Sequence, residues 1–424
     1  MTYQETLAYI YGLSRFGMKP GLERISSILS TLGNPEKTLR LVHVAGTNGK
    51  GSTAAFLSAI MAKGGYRVGL FTSPHLIRFT ERIRINGAEI DEGSVVRLAE
   101  RVLKAAPPAA TFFEIVTAMA ILHFSEERVD LAVMEAGMGG CSDATGVVSG
   151  IVSVITPISL DHCQYLGETI AAIALEKAGI IKPCSPVVLS AQPDEALSVI
   201  NRYCAEVKSP LYRSGTDFDA FWENDGLCYR GPGARLTGLK PGIPGHYQAG
   251  NAASALCAAE LLTSFGFAVG HSALREGIES ARWPGRMEMF GDAPRVLLDG
   301  AHNGAGARAL AESVSRIPHD RLFLVVGVMA DKDADAVLGP LLHRADRVFA
   351  VSPRLERALP SNELASYCAE RGVESVDAGS VSEGLSMAVN RAAPHDLVLV
   401  SGSLFTVGEA RAFLLDEHFE ACRG

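Results

Sequence analysis

The chain has 424 residues, 47% of them apolar and 20% charged, an ordinary balance for a folded protein and more length than one compact core uses. Its net charge of −8 lacks the Lys and Arg excess that a general nucleic-acid or membrane-surface binder needs to meet phosphates. Its eight cysteines are scattered with no C-x-x-C, which indicates neither a zinc site nor a disulfide framework, and no apolar run reaches the roughly 20 residues that cross a bilayer.

The opening "MTYQETLAYIYG" has no basic leader followed by an apolar run, so the expectation is a cytoplasmic protein without a signal peptide. Beyond it, short β-rich apolar runs predict strands at 41–44, 68–71, 131–134, 151–155 and 187–189. Helical spacing between them predicts helices at 52–63, 91–104, 113–126 and 169–178. Buried runs separated by helices imply parallel strands covered on both faces. The stretch 210–240 reads as small β structure and 249–265 as an Ala-rich helix. The segment 281–295, with two Pro, two Gly and no sustained period, reads as a linker. Strands then resume at 296–298, 322–326, 347–351 and 397–401. The expectation is an α/β protein of two domains, 1–284 and 285–424.

The strand at 41–44 runs into "GTNGKGS" (46–52) and then into a helix. The usual phosphate loop has four residues between its glycines and Ser or Thr directly after the Lys, and here neither holds. The setting still suits an anion, because unpaired amides and the positive helix end would face it, with Lys50 adding a mobile charge. The plain alternative is a glycine-rich turn that holds one Lys by chance. Against it stands "VDLAVMEAGMGG", an apolar strand ending in Glu135, at the strand end where metal ligands of nucleotide-binding sheets are found. Mg²⁺ takes oxygen ligands and shares phosphates, so Glu135 is a metal candidate. Asp161-His162 follows another strand and Lys177 lies in an apolar helix; spacing alone promotes neither.

Taken together, "HVAGTNGKGSTAAFL", "GLFTSPHLIRFTERIRING", "EAGMGG", "SLDH", "LGETIAAIALEKAGIIKP", "WPGRME", "LLDGAHN", "VVGVMADKD" and "SGSLFTVGEAR" resemble the folylpolyglutamate synthase/dihydrofolate synthase family of Mur-type ATP-dependent amide ligases. They occur in the family's order from residue 16 nearly to the C-terminus. The resemblance implies an N-terminal Mur-ligase-like P-loop ATPase domain with a parallel sheet and a smaller C-terminal Rossmann-like domain that binds glutamate. It also makes "GTNGKGS" an intact loop of a shorter build.

What the resemblance implies for residues is specific. Gly49, Lys50, Gly51 and Ser52 match the phosphate cradle, and Ser73, Glu135 and His162 the magnesium ligands. Lys177 matches a lysine that is carbamylated and helps hold a second Mg²⁺. Asn251, Arg286 and Asp299 match ATP contacts, His302 and Ser403 the glutamate site, and Thr111, Phe113, Glu114 and Asp143 the pterin-bearing substrate. The implied reaction joins L-glutamate to a dihydropteroate or reduced-folate carboxylate through an acyl phosphate, with Lys50, Lys177 and His302 at the chemistry. The implied partners are ATP, Mg²⁺ and these small molecules, with no nucleic acid and no membrane, and the chain acting as a monomer.

One departure bears on the acceptor. Most members of the family read G-G-R, then Leu or Phe, then D-A-T-N, where this chain has Gly139-Gly140-Cys141-Ser142-Asp143-Ala144-Thr145-Gly146. The lost Arg removes paired donors for a carboxylate or phosphate. Two alternatives stay open on the sequence: a Mur-type ligase acting on another acid, and a nucleotide-binding protein without ligase chemistry.

Overall fold

A computed structural model describes residues 1–13 and 21–421; the start of the collinear stretch at residue 16 and Cys422 lie outside these. The first sheet takes β1 (Leu41–Ala45), β2 (Val68–Phe71), β3 (Ile83–Ile85), β4 (Ala88–Glu89), β5 (Leu131–Glu135), β6 (Val152–Ile155), β7 (Val187–Leu189) and β8 (Leu211–Arg213). Its order is β4-β3-β2-β5-β1-β6-β7-β8. The run from β2 to β8 is parallel, while β3 and β4 add antiparallel strands at one edge, so the expected parallel sheet is a mixed one. Strands β1, β5 and β6 are buried at every residue, as central strands covered on both faces must be.

A meander of β9 (Asp219–Glu223), β10 (Gly226–Arg230) and β11 (Arg235–Leu239) accounts for the expected small β structure. Its buried residues share a core with the Lys50–Lys63 and Gln248–Leu262 helices on one face of the first sheet. The Phe112–Glu126 helix lies in the core of the opposite face.

The second sheet contains β12 (Glu288–Phe290), β13 (Arg295–Leu298), β14 (Leu322–Val326), β15 (Arg347–Ala350), β16 (Ser375–Asp377) and β17 (Leu397–Ser401), in the order β12-β13-β17-β14-β15-β16. All its pairs are parallel except β12 with β13. The expected linker 281–295 is therefore shorter than its composition suggests. Glu288–Phe290 is an antiparallel edge strand, too short to show a period.

The end of the chain returns to the first sheet. Glu420 donates from its amide to the Ile77 carbonyl at 2.9 Å, and its carboxylate accepts from the Phe79 amide at 2.7 Å and the Tyr3 hydroxyl at 3.2 Å. No helix among the described residues is long and apolar enough to cross a membrane.

His43 on β1 is fully buried, with Nε2 2.6 Å from Thr145 Oγ1 and Nδ1 without a partner. Burial, with Lys182 nearby, pushes its pKa down to about 3. An unfolded histidine takes a proton below roughly 6.5, whereas this one stays neutral down to about 3. The unfolded state therefore binds more protons between those values, so stability is full above pH 6.5 and is lost as pH falls toward 3. His43→Asn is expected to shallow that loss by about 1 kcal/mol per pH unit in urea titrations between pH 6 and 4. Equal slopes in the two proteins would show that His43 does not drive it.

Candidate active site

The turn between β1 and the Lys50–Lys63 helix leaves the sheet at its topological switch point, with β5 on one side and β6 on the other. Gly46 has φ +149°, and a Cβ there would lie 1.9 Å from Thr156 Oγ1; Gly49 has φ +86°, and a Cβ would lie 2.2 Å from Asn251 Oδ1. Both conformation and space therefore require glycine. The Thr47 and Asn48 amides donate to the Pro157 carbonyl. No side chain caps the helix, so its first-turn amides face the cleft without an intrahelical acceptor. The helix begins at Lys50, two residues before the expected start at 52, because the glycine turn itself supplies the first turn.

Lys50 Nζ donates to the Thr47 carbonyl at 3.2 Å. Around it stand Glu135, His162 and Lys177, each of which feels its charge. Glu135 ends β5, is buried, and accepts from the Ser73 amide at 3.3 Å. Burial raises its carboxyl above the usual range, opposed by Lys50, the Ser73 amide and Arg286. Lys177, also buried, donates to the Gly46 carbonyl at 2.7 Å. Burial first and Lys50 second bring its pKa down to about 7. His162 sits in the left-handed region (φ +51°), and burial takes its pKa to about 4, with Lys332, Lys50 and Lys177 adding to the effect and Asp161 opposing.

Asp161 draws the second sheet in. Lys332 Nζ lies 2.6 Å from Asp161 Oδ1, and Asn303 Nδ2 donates to Oδ2 at 3.2 Å. Burial opposes ionisation there, but His302, His162 and Lys332 hold the carboxyl well below its usual range. His302 is itself neutral at pH 7, its pKa taken by burial to about 4, which leaves Lys332 as the facing cation. His302 Nδ1 bonds the Gly300 carbonyl at 2.9 Å, and Nε2 lies 3.7 Å from Asp161 Oδ2.

Asp299, at the end of β13, is buried and accepts from Tyr247 Oη at 2.7 Å and from the Met287 and Ala301 amides at 3.0 Å. Burial raises its pKa, with Arg286 opposing first. Arg286 makes no ion pair within 4 Å among the described residues. It lines a cleft with Gly51, Ser73, Glu135 and Trp283. Asn251 is buried behind the phosphate loop, donating to Gln248 Oε1 at 2.7 Å, while Gln248 donates to Ser52 Oγ at 3.3 Å.

The remaining expected residues are occupied locally. Ser403 caps the Leu404–Leu415 helix through Thr406. Thr111 and Glu114 form a capping box on Phe112–Glu126, and Glu114 also binds Arg24 at 2.9 and 3.1 Å. Phe113 packs over Gly137, whose Cβ would lie 2.5 Å from the ring. Asp143 accepts from the Met138 and Thr145 amides, fixing the turn that carries the exposed Cys141. Sequence reasoning assigned nothing to Asn48, Arg24, Asn303 or Lys332. Asn303 and Lys332 lay in quoted stretches, "LLDGAHN" and "VVGVMADKD", but their partners are remote in sequence.

Two family models match the chain: the Mur ligase middle domain at residues 44–259 and the Mur ligase glutamate ligase domain at 285–404. The dihydrofolate synthase/folylpolyglutamate synthase of Bacillus subtilis is 36% identical over 96% of this chain and 98% of its own length. The chain also matches haloarchaeal relatives of which it spans only about half, 51% for the one from Halobacterium salinarum. Among solved structures, Escherichia coli FolC in complex with DHPP and ADP superposes with a TM-score of 0.89 at 31% identity, covering 97% of each chain. The Yersinia pestis bifunctional folylpolyglutamate synthase/dihydrofolate synthase complexed with AMPPNP and Mn ion gives 0.89 at 31%, covering 98% of each. With relatives matched end to end above 30% identity and both family models in order, this chain belongs to the dihydrofolate synthase/folylpolyglutamate synthase family of Mur ligases.

Proposed function

We propose that the chain ligates L-glutamate to the carboxylate of dihydropteroate or a reduced folate at the expense of ATP, with residues 1–284 as the ATP-binding unit and 285–424 as the glutamate-binding unit. The observation that carries this reading is that Asp161, beside His162, joins Lys332, Asn303 and His302 of the second unit, next to a glycine turn whose Lys50 charge is felt by Glu135, His162 and Lys177. Its relatives support it, among them FolC with DHPP and ADP. In the proposed reaction a substrate carboxylate oxygen attacks the γ-phosphorus, the bond to ADP breaks, and an acyl phosphate forms. The glutamate nitrogen then attacks the acyl carbon and sheds a proton, and the C–O bond breaks to release phosphate.

The Gly49, Lys50, Gly51 and Ser52 turn would hold the phosphates on backbone amides, with Lys50 and Arg286 neutralising charge as it moves. Ser73, Glu135 and His162 fit a hard divalent cation that shares phosphate oxygens: a hydroxyl and a carboxylate 3.3 Å from the Ser73 amide, with an imidazole that is neutral at pH 7. The ion supplies charge neutralisation on the transferring group when bound. Carbamylation of Lys177 would turn a buried cation beside Lys50 into an anionic ligand, and a pKa near 7 supplies the free amine that reacts with CO₂. Removing bicarbonate is then expected to lower activity reversibly, and an unmodified Lys177 in the active enzyme would sink the idea.

Asn251, Arg286 and Asp299 would serve the nucleoside side. His302 would serve glutamate, together with the helix end that Ser403 caps. Thr111, Phe113, Glu114 and Asp143 would shape the pterin side. The test is phosphate release with L-glutamate fixed and the acceptor varied among dihydropteroate, tetrahydrofolate, methylene-tetrahydrofolate and a Mur-type peptide precursor. Turnover with a pterin acid supports the reading; turnover with the peptide precursor alone would overturn the acceptor while keeping the ligase.

A further inference from the structure

Among the described residues, the phosphate loop hydrogen-bonds the turn that follows β13 through the Asn48 side chain. Asn48 Nδ2 donates to Asn303 Oδ1 at 3.1 Å, and Asn303 Nδ2 donates back to Asn48 Oδ1 at 2.9 Å, a reciprocal amide pair between residues 255 apart. Asn303 is held for this in three ways. Its Oδ1 caps the Gly304–Val314 helix through the Gly306 amide at 2.9 Å, its Nδ2 also reaches Asp161 Oδ2 at 3.2 Å, and it is 5% exposed. Asp161 in turn takes Lys332 at 2.6 Å, so a carboxylate from the first sheet is tied to two turns of the second. Asn48 is braced from its own side, its amide nitrogen on Pro157 and its side chain 3.4 Å from Ser159 Oγ.

Neither amide is needed to hold an anion. The Asn48 backbone N–H is already spent on Pro157, and its side chain is spent on Asn303. The pair instead fixes the distance between the phosphate loop and His302, the neighbour of Asn303. We propose that Asn48 and Asn303, locked by Asp161 and Lys332, form a closure latch that keeps the glutamate-bearing turn seated against the phosphate loop and so keeps water from the acyl phosphate. This rests on the ligase reading above. Asn48 and Asn303 are positioning residues: an acyl phosphate exposed to water before the amine arrives would hydrolyse, releasing phosphate without a new amide.

The experiment compares Asn48→Ala, Asn303→Ser and the double variant with wild type, measuring phosphate released and glutamate incorporated in the same reaction. Ser keeps a helix cap at 303 while losing the paired amide, and thermal melts identify any variant that fails to fold. The wild type should release one phosphate per glutamate. Each single variant should release several-fold more phosphate than glutamate incorporated and need roughly tenfold more glutamate for half-saturation, with the ATP requirement little changed. The double variant should be no worse than the worse single, because the two amides act as one unit. Variants that fold, keep one phosphate per glutamate and keep the glutamate requirement would overturn the latch. Additive losses would overturn the pairing. A wild type without glutamate-dependent turnover would instead defeat the ligase reading.

Discussion

Lys50→Ala is expected to lower turnover by at least about 10³-fold while leaving the melting temperature within about 2 °C. The fold does not rest on this side chain, whose one hydrogen bond, at 3.2 Å to the Thr47 carbonyl, lies within its own turn. In the proposed reaction the chemistry would rest on it, because Lys50 is the mobile cation of a loop whose other donors are fixed amides. Loss of its charge also removes the second-largest influence that depresses Lys177, so the Lys177 amine should hold its proton to higher pH. A variant that turns over normally would remove the loop from the mechanism. One that melts far earlier would show that Lys50 is structural.

Glu114→Ala is expected to cost about 3 kcal/mol, seen as a melting temperature lower by roughly 6–12 °C. The resemblance points to Glu114 as a substrate contact, but its carboxylate is already engaged. Oε2 accepts from the Thr111 amide at 2.8 Å and its hydroxyl at 2.9 Å, and both oxygens meet Arg24 Nε. Removal opens the capping box of the Phe112–Glu126 helix, which fills much of one face of the first sheet, and breaks the Glu114–Arg24 ion pair. Glu114→Gln, which keeps the amide-accepting oxygen, should lose about half as much. A calorimetric shift under 2 °C for Glu114→Ala would mean that the clasp is not structural.

Much of this was legible in the sequence, for physical reasons that differ by element. The central strands announce themselves because burial on both faces keeps β1, β5 and β6 mostly apolar, each with a single polar residue: His43, Glu135 and Ser153. The hairpin of β3 and β4 is harder to see. Its strands hold three and two residues, although Asn86 and Gly87 both sit at positive φ, as an Asn-Gly turn requires. Edge strand β12 hides in the same way inside a Pro- and Gly-rich segment.

In the site, Lys50 and Glu135 can be found from local context, since one sits in a glycine turn and the other at a strand end. Asp161 and Lys332 cannot, because 171 residues separate them and nothing local marks either as half of a pair. The roles of Thr111 and Ser403 look different once their hydroxyls are seen capping helices. A motif shows that a residue type matters at a position, and only packing shows to which neighbour.

The returning tail sets an order in time. The loop that follows Ser73 depends on Glu420 for the Phe79 amide, 341 positions later in the chain. At about 5–20 residues per second, a ribosome needs roughly 17–70 s to cover that distance. During that interval the phosphate loop and its strands can be complete while the segment beside Ser73 still lacks its final partner. The segment beside Ser73 is therefore made early and fastened late, by a residue synthesised 341 positions after the one it holds.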